Sequence, residues 1–329
     1  MMPRLQACDP RRLEQLLRGH LSAEYEREIE AHLSVCPACR AKLDESVGGK
    51  RWWSEVWRNL GGDGATSAFL DLDSDVARGP GRAPLGVDLS FLAPSEHSEA
   101  LGRLGGYEVL EVIGRGGMGV VLKAFDPALH RPVAIKILLT EYAASGTARK
   151  RFAREAQAAA AVVHDHVVSV HAVDASHAPP YLVMSFIAGR SLQQRIDRDG
   201  PLELREILRI GMQTAAGLAA AHAQGLVHRD IKPANIMLEN GVERVRITDF
   251  GLARAVDDAS ITQSGFFAGT PQYMAPEQAR GEAVDTRADL FALGSVLYAM
   301  SVGRPPFRAD SGLAVMRMVA DAEAPPIRA

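Results

Sequence analysis

Apolar residues are spaced in three different ways along this chain. Up to about residue 60 they recur at helical intervals: Leu13, Leu16, Leu17 and Leu21, then Tyr25, Ile29, His32 and Leu33. After a Cys36-Pro37-Ala38-Cys39 turn the same spacing returns at Trp53, Val56, Trp57 and Leu60. Steps of three and four put such residues on one face of a helix. The second stripe reads as a buried helix face, with a partner-binding helix as the alternative. From 61 to about 104 the pattern is lost among Gly, Pro, Ser and Asp, as in Arg78-Gly79-Pro80-Gly81-Arg82-Ala83-Pro84. Such a segment buries too little apolar surface to offset its ordering entropy, which predicts a flexible linker. Leu85, Val87, Leu89, Phe91 and Leu92 interrupt it, and either dock on a neighbouring surface or collapse on themselves.

The third region, 105 to 329, starts with alternation. Residues 107–113, 120–125 and 133–138 read as strands, with a Gly-rich turn between the first two. A charged, Ala-rich helix is expected at 147–161, strands near 167–173 and 181–187, and mostly helices after 201. A β-rich part therefore precedes an α-rich part. The 329 residues suit two domains, and 47% apolar with 23% charged residues is ordinary for a folded soluble chain. A formal net charge of -3 gives no global attraction to nucleic acid. No run of 18 apolar residues occurs, the first residues lack the apolar stretch of a signal peptide, and the three cysteines all precede residue 40. These features predict a reducing, cytoplasmic setting with no disulfide framework.

The chemistry-bearing residues cluster in the third region. In Gly114-Arg115-Gly116-Gly117-Met118-Gly119 the glycines let backbone N–H groups approach phosphate oxygens without an intervening Cβ. The motif alone is weak, but a strand follows it rather than a helix, which disfavours a dinucleotide fold. Lys136 ends the apolar run Val133-Ala134-Ile135 and needs a counter-charge, for which Glu155 on the next helix is the candidate. The segment His228-Arg229-Asp230-Ile231-Lys232-Pro233-Ala234-Asn235 brings together a carboxylate able to take a hydroxyl proton, an ammonium and an amide oxygen. Asp249-Phe250-Gly251 adds a second carboxylate, and hard cations such as Mg²⁺ prefer carboxylate and amide oxygens.

Together with Ala275-Pro276-Glu277, these motifs make residues 107–329 resemble the bacterial branch of the eukaryotic-type serine/threonine protein kinases. The resemblance implies an α+β, two-lobed protein-kinase fold, with a β-rich N-lobe and an α-rich C-lobe. It implies phosphoryl transfer from ATP, with Mg²⁺ or Mn²⁺, to Ser or Thr hydroxyls of protein substrates. In that reading Lys136 holds phosphates and pairs with Glu155, Asp230 is the base, Lys232 neutralises charge, and Asn235 and Asp249 hold the metal. Ile113, Gly114, Gly116, Gly119, Val121 and Ala134 would cover the nucleotide. Met184 would be the gatekeeper, and Ser185, Phe186 and Ile187 the hinge meeting adenine. Asp289 would anchor the catalytic-loop backbone. Arg229 beside Asp230 points to regulation by a phosphate at Thr262 or Ser264, with Ser260 third, while Thr270 belongs with substrate docking. A second copy of the chain is then the expected partner for trans-autophosphorylation. The alternative is a catalytically silent nucleotide-binding scaffold or a zinc- or redox-responsive regulatory module.

The spacing His32-x₃-Cys36-x₂-Cys39 lets three ligands meet at a tetrahedral centre, with Cys8 available as the fourth. Residues 8–45 resemble the zinc-binding anti-sigma-factor fold, a small helical module that a metal would staple together. Reduced thiols and a redox pair at Cys36 and Cys39 are the alternatives, and a regulatory protein is the expected partner of the module. The resemblance also leads one to expect a C-lobe lacking its last helices. Glu277 would then be a buried charge without its usual arginine, and a membrane anchor would lie, if anywhere, beyond residue 329.

Overall fold

The structure is a computed structural model that describes residues 88–116, 119–138, 146–240, 244–250 and 271–327, together with Cys36. The chain divides into two compact units, Met1–Thr66 and Ser67–Ala329, and apart from Cys36 the described residues belong to the second. That unit begins with strands β1 (Gly102–Leu104), β2 (Tyr107–Gly116), β3 (Gly119–Asp126) and β4 (Arg131–Leu138). Helix α1 (Gly146–Ala160) follows, then β5 (Val170–Asp174) and β6 (Tyr181–Ser185). These strands form one antiparallel sheet of order β1-β2-β3-β4-β6-β5.

Alternation decides what each face of the sheet carries. Val120, Leu122 and Ala124 of β3 join Val133, Ile135 and Ile137 of β4 in a core on one face. Val121 and Ala134, one residue out of phase, join Ile113, Val168, Met184, Ile187 and Met237 on the other. Lys136 shares the phase of Ala134 and so faces the second side. Gly119 is required by packing as well as by any ligand, because a Cβ there would run into the Ile137 carbonyl oxygen.

The first face is covered by Leu89, Phe91, Leu92 and Leu101, which pack against its core. Ala93 and Arg103 exchange two backbone hydrogen bonds of 2.8 and 2.7 Å, and β1 pairs with β2. The expected linker therefore ends earlier than residue 104. The stretch from 88 onwards docks on the sheet, the first of the two readings, for Leu89, Phe91 and Leu92; Leu85 and Val87 lie outside the described residues. The physical reason is that the outer face of a strongly apolar sheet needs a cover, and a polar composition does not prevent four spaced apolar side chains from supplying it.

The second part holds β7 (Gly189–Ser191), α2 (Leu192–Asp199) and α3 (Leu204–Ala223). It continues with β8 (Ile236–Glu239), β9 (Val245–Ile247), the short α4 (Pro276–Ala279), α5 (Thr286–Val302) and α6 (Gly312–Asp321). The β-rich part followed by an α-rich part is the order expected from the pattern, and it is the two-lobed arrangement that the resemblance implies. Helix α2 starts with a capping box, Ser191 Oγ accepting from Gln194 N at 3.2 Å and Gln194 Oε1 from Ser191 N at 3.1 Å. Helices α3 and α5 pack closely because Gly211 leaves room for Leu297, while Gly217 leaves room for Ile247 and the His166 carbonyl. Glu277 is only half-buried, so it is not the buried charge expected from sequence. Among the described residues, no helix is long and apolar enough to cross a membrane.

The docked segment supplies the first test. Replacing Phe91 and Leu92 together by Ala is expected to destabilise the Ser67–Ala329 unit by about 2–4 kcal/mol, since both side chains are partly buried against the core. The shift is read from urea unfolding followed by tryptophan-independent circular dichroism. An unchanged midpoint would mean that the segment lies on the sheet without holding it.

Candidate active site

The segment 228–235 is shaped by one carboxylate from below. Asp289, 0% exposed in the first turn of α5, accepts hydrogen bonds from His228 N at 2.8 Å and Arg229 N at 2.7 Å. His222 Nε2 lies 2.7 Å from the same carboxylate. These contacts hold Arg229 at φ 68°, a left-handed conformation that costs a non-glycine residue about 1–2 kcal/mol. Gln278 Nε2 donates to the Arg229 carbonyl at 2.8 Å and closes the clamp from the other side. His228 is fully buried, and its Nδ1 accepts from Asp230 N at 3.2 Å. Its Nε2 therefore carries the proton and donates to the Thr248 carbonyl at 2.8 Å.

The β8–β9 hairpin brings the second carboxylate alongside. Ile236 pairs with Ile247, and Thr248 N donates to the Asn235 carbonyl at 2.9 Å, so Asp249 emerges beside Asn235. Asn235 Nδ2 donates to the Asp230 carbonyl at 2.8 Å and to Asp230 Oδ2 at 3.2 Å. That orients the amide and turns its oxygen away from Asp230. Lys232 Nζ sits 2.9 Å from Asp230 Oδ2. Asp230, Lys232, Asn235 and Asp249 thus occupy one locality, as their spacing suggested. The Asn235 amide oxygen and the Asp249 carboxylate are hard donors of the kind that magnesium takes, so the residues present fit that ion.

Lys136 reaches this locality from the sheet. Its Nζ makes an ion pair of 2.8 Å with Asp249 Oδ1, and both side chains are about 10% exposed: 11% and 10%. Burial pushes the Asp249 carboxyl up, but the Lys136 charge and hydrogen bond outweigh it and leave the group below the ordinary carboxylate range. The pairing of Lys136 with Glu155 expected from sequence is not the one formed. Glu155 instead lines a cavity of about 370 Å³ with Arg151, Arg154 and Ala158 of α1, opposite residues 225–227 and Arg229. The helix explains this: Phe152 and Ala156 face the sheet and are buried with Leu138 and Leu182. Positions 151, 154, 155 and 158 then share the face turned to the loop. Charge alone made the pairing plausible, but a nearer carboxylate, Asp249, supplies the counter-charge.

Above the carboxylates the cleft is apolar. Ile113, Val121 and Ala134 come from β2, β3 and β4, Met184 and Ile187 from β6 and the stretch after it, with Phe186 packed against them. Val168 and Met237 complete the cluster and were not singled out from sequence. Their only signal was their place two residues before a strand and within one, which any core residue shares. Gln278 and His222 were also missed. Lys123 is 6% exposed and its Nζ lies 5.0 Å from the centre of the Phe186 ring. Burial pushes its ammonium below the usual lysine value, and Glu111 partly restores it. Gly114 and Gly116 lie in the final turn of β2, paired with Val121 and Gly119.

Cys8, His32, Cys39, Ser260, Thr262, Ser264 and Thr270 lie outside the described residues. Of the four expected zinc ligands Cys36 alone is described, and among the described residues no three His, Cys, Asp or Glu side chains gather around one point.

Comparison with known proteins converges on the same region. A family model described as Protein kinase domain matches residues 107–326. Serine/threonine-protein kinase PknB of Mycolicibacterium smegmatis is 43% identical over 215 residues, which cover 64% of this chain and 34% of that protein. A probable serine/threonine-protein kinase of Clostridium acetobutylicum is 39% identical over 221 residues, again covering 34% of the relative. The chain therefore spans about a third of the length of these curated relatives. The crystal structure of the Mycobacterium tuberculosis PknI kinase domain superposes with a TM-score of 0.52 at 30% identity, covering 63% of this chain and 78% of that one.

Asp289 provides the test of this geometry. Asp289→Asn keeps the volume but removes the charge that two backbone N–H groups and His222 share. A loss of about 2–4 kcal/mol in stability is expected, because hydrogen bonds to a buried charge are each worth about 1.5–3 kcal/mol. Differential scanning calorimetry reads it; a melting temperature equal to that of the wild type would contradict the anchoring role.

Proposed function

This chain belongs to the protein kinase domain family, and from that premise we propose that it transfers the γ-phosphoryl group of MgATP to serine and threonine hydroxyls of proteins. The observation that carries the reading is the convergence of Asp230, Lys232, Asn235, Asp249 and Lys136 below one apolar slot. Adenine fits between Ile113, Val121 and Ala134 on one side and Met237 on the other, with its edge toward the backbone of Ser185 and Ile187. The backbone of Gly114, Gly116 and Gly119 and the ammonium of Lys136 lie on the phosphate side. Asn235 and Asp249 would hold Mg²⁺ or Mn²⁺, which supplies charge neutralisation on the phosphate oxygens. Asp230 takes the proton of the incoming hydroxyl as its oxygen bonds to the γ-phosphorus. The bond to the bridging oxygen breaks, and ADP leaves with that electron pair. Lys232, already on Asp230, neutralises charge building on the transferred group.

Lys136 and Asp249 satisfy each other's charge at 2.8 Å. With substrate bound, Lys136 would hold phosphate oxygens and Asp249 would help to hold the metal, so each charge would keep a partner. We infer further that a phosphate at Thr262 or Ser264 regulates the site. Arg151, Arg154 and Arg229 wall one cavity beside the catalytic loop, and a phosphate adds about -1.5 to -2 charges able to engage them. The N-terminal residues Cys8, His32, Cys36 and Cys39 are read as a zinc-held module for a regulatory protein, supported by their spacing.

Transfer of label from γ-labelled ATP to a generic basic protein, with and without Mg²⁺, tests the activity; phosphoserine or phosphothreonine should appear only with the metal. Asp230→Asn is expected to lower turnover by roughly 10²–10⁴ while leaving folding intact, and Lys136→Met to abolish most activity. Full activity in either variant would contradict the assignment. Replacing Thr262 and Ser264 together by Ala should remove label from the chain itself and lower its specific activity. Unchanged labelling and activity would dispose of the regulatory reading.

A further inference from the structure

We propose that Lys123 is a positioning residue for nucleotide binding: its ammonium, seated on the Phe186 ring, fixes the backbone at 185–187 to which the base binds. This rests on the kinase reading above. The observation behind it is a cation that has no place in the phosphate chemistry. Lys123 lies on β3 two residues beyond Val121, and strand alternation turns both toward the cleft. Lys123 is nevertheless only 6% exposed, although a long ammonium side chain can usually reach water, and Glu111, opposite it on β2, supports its charge. Its Nζ also lies 5.0 Å from the centre of the Phe186 ring, within the distance at which a ring face attracts a cation.

The place of Phe186 makes this contact matter. Strand β6 ends at Ser185 and β7 begins at Gly189, so residues 186–188 belong to no strand. Their two flanks are held: Ser185 N donates to the Ser169 carbonyl at 2.9 Å, and the Ala188 carbonyl accepts from Asn240 N at 2.8 Å. The Ile187 side chain is buried in the cleft cluster, whereas Phe186 is half-exposed at its edge. Between two fixed flanks, the torsion of the 185–186 and 186–187 peptides sets where the Ser185 carbonyl and the Ile187 N–H point. A ring held by a cation from the opposite sheet strand restrains that torsion. It also ties β3, which carries the Gly-rich turn, to the segment facing the base, so one contact spans the mouth of the slot.

The mechanism is one of ground-state binding, not chemistry at phosphorus. Lys123→Met keeps the apolar stem and removes the charge. It is expected to raise KM for ATP by about three- to tenfold, the range given by a cation–π contact of this kind, with kcat within about twofold of the wild type. Lys123→Arg retains a cation able to lie on the ring and should return KM to near the wild-type value. Phe186→Leu should raise KM similarly, and the double variant Lys123→Met with Phe186→Leu should be no worse than either single change. An unchanged KM in Lys123→Met, a fall in kcat without a rise in KM, a failure of Arg to rescue, or fully additive effects in the double variant would each overturn the proposal. An unchanged variant beside a wild type that turns over ATP saturably overturns this inference alone. Absence of saturable turnover in the wild type overturns the kinase reading with it.

Discussion

A carboxylate with no exposed surface persists only where donors surround it, and Asp289 is such a group. Its partners are the backbone N–H groups of His228 and Arg229 and the His222 ring. Because those donors must converge on one point, the chain at 228–229 has little choice of path and accepts a left-handed residue at Arg229. Everything that follows in the loop inherits that path. Asp230 is delivered to the cleft, His228 turns inward to bridge Asp230 N and the Thr248 carbonyl, and Asn235 is brought against Asp230. The buried charge thus does for the loop what a hydrophobic core does for a helix, with more directional demand.

The second organising feature is the contact between the two parts of the cleft. Lys136 comes from a strand whose phase is set by Val133, Ile135 and Ile137, and Asp249 from the end of a hairpin whose register is set by Ile236 opposite Ile247. Neither position is adjustable by one residue, since a slip reverses the faces of a strand. Their 2.8 Å pair is consequently a measure of how well two independently built elements are aligned. Helix α1 is different. It is attached to the sheet through Phe152 and Ala156, a small cluster, and its charged face looks at residues 225–229. Arg149, on the same helix, adds hydrogen bonds to the carbonyls of Ala175, Ser176 and His177, so the end of β5 and the turn after it help to set which way that charged face looks.

This difference separates what was legible in the sequence from what was not. The strands at 107–113, 120–125 and 133–138 were legible, but which of Ala134, Ile135 and Lys136 faces the cleft was not, since β3 and most of β4 are buried on both faces and carry no alternation. The grouping of Asp230, Asn235 and Asp249 was legible because a tight loop and a short hairpin leave few ways to arrange them. The partner of Lys136 was not, because sequence names all available carboxylates without ranking their distances. The docked stretch at 88–104 was obscured by its composition: Gly, Pro and Ser spoke for a linker, and only the shape of the sheet's outer face shows that Leu89, Phe91 and Leu92 have somewhere to go. Gln278 and His222 left no mark at all, being ordinary polar residues whose importance lies wholly in three-dimensional position.

The Gly-rich turn illustrates how one residue type can serve two requirements at once. Gly119 begins β3 opposite Leu138, and its backbone comes so near the Ile137 carbonyl that no side chain fits. A glycine would be needed there even if nothing were ever bound. A residue without a Cβ is also what allows a phosphate to approach backbone N–H groups closely. Strand packing and phosphate access therefore select the same residue. The conformational freedom that makes glycine costly in a strand is offset by the neighbouring fully buried positions of β3, every one of which is held by the sheet.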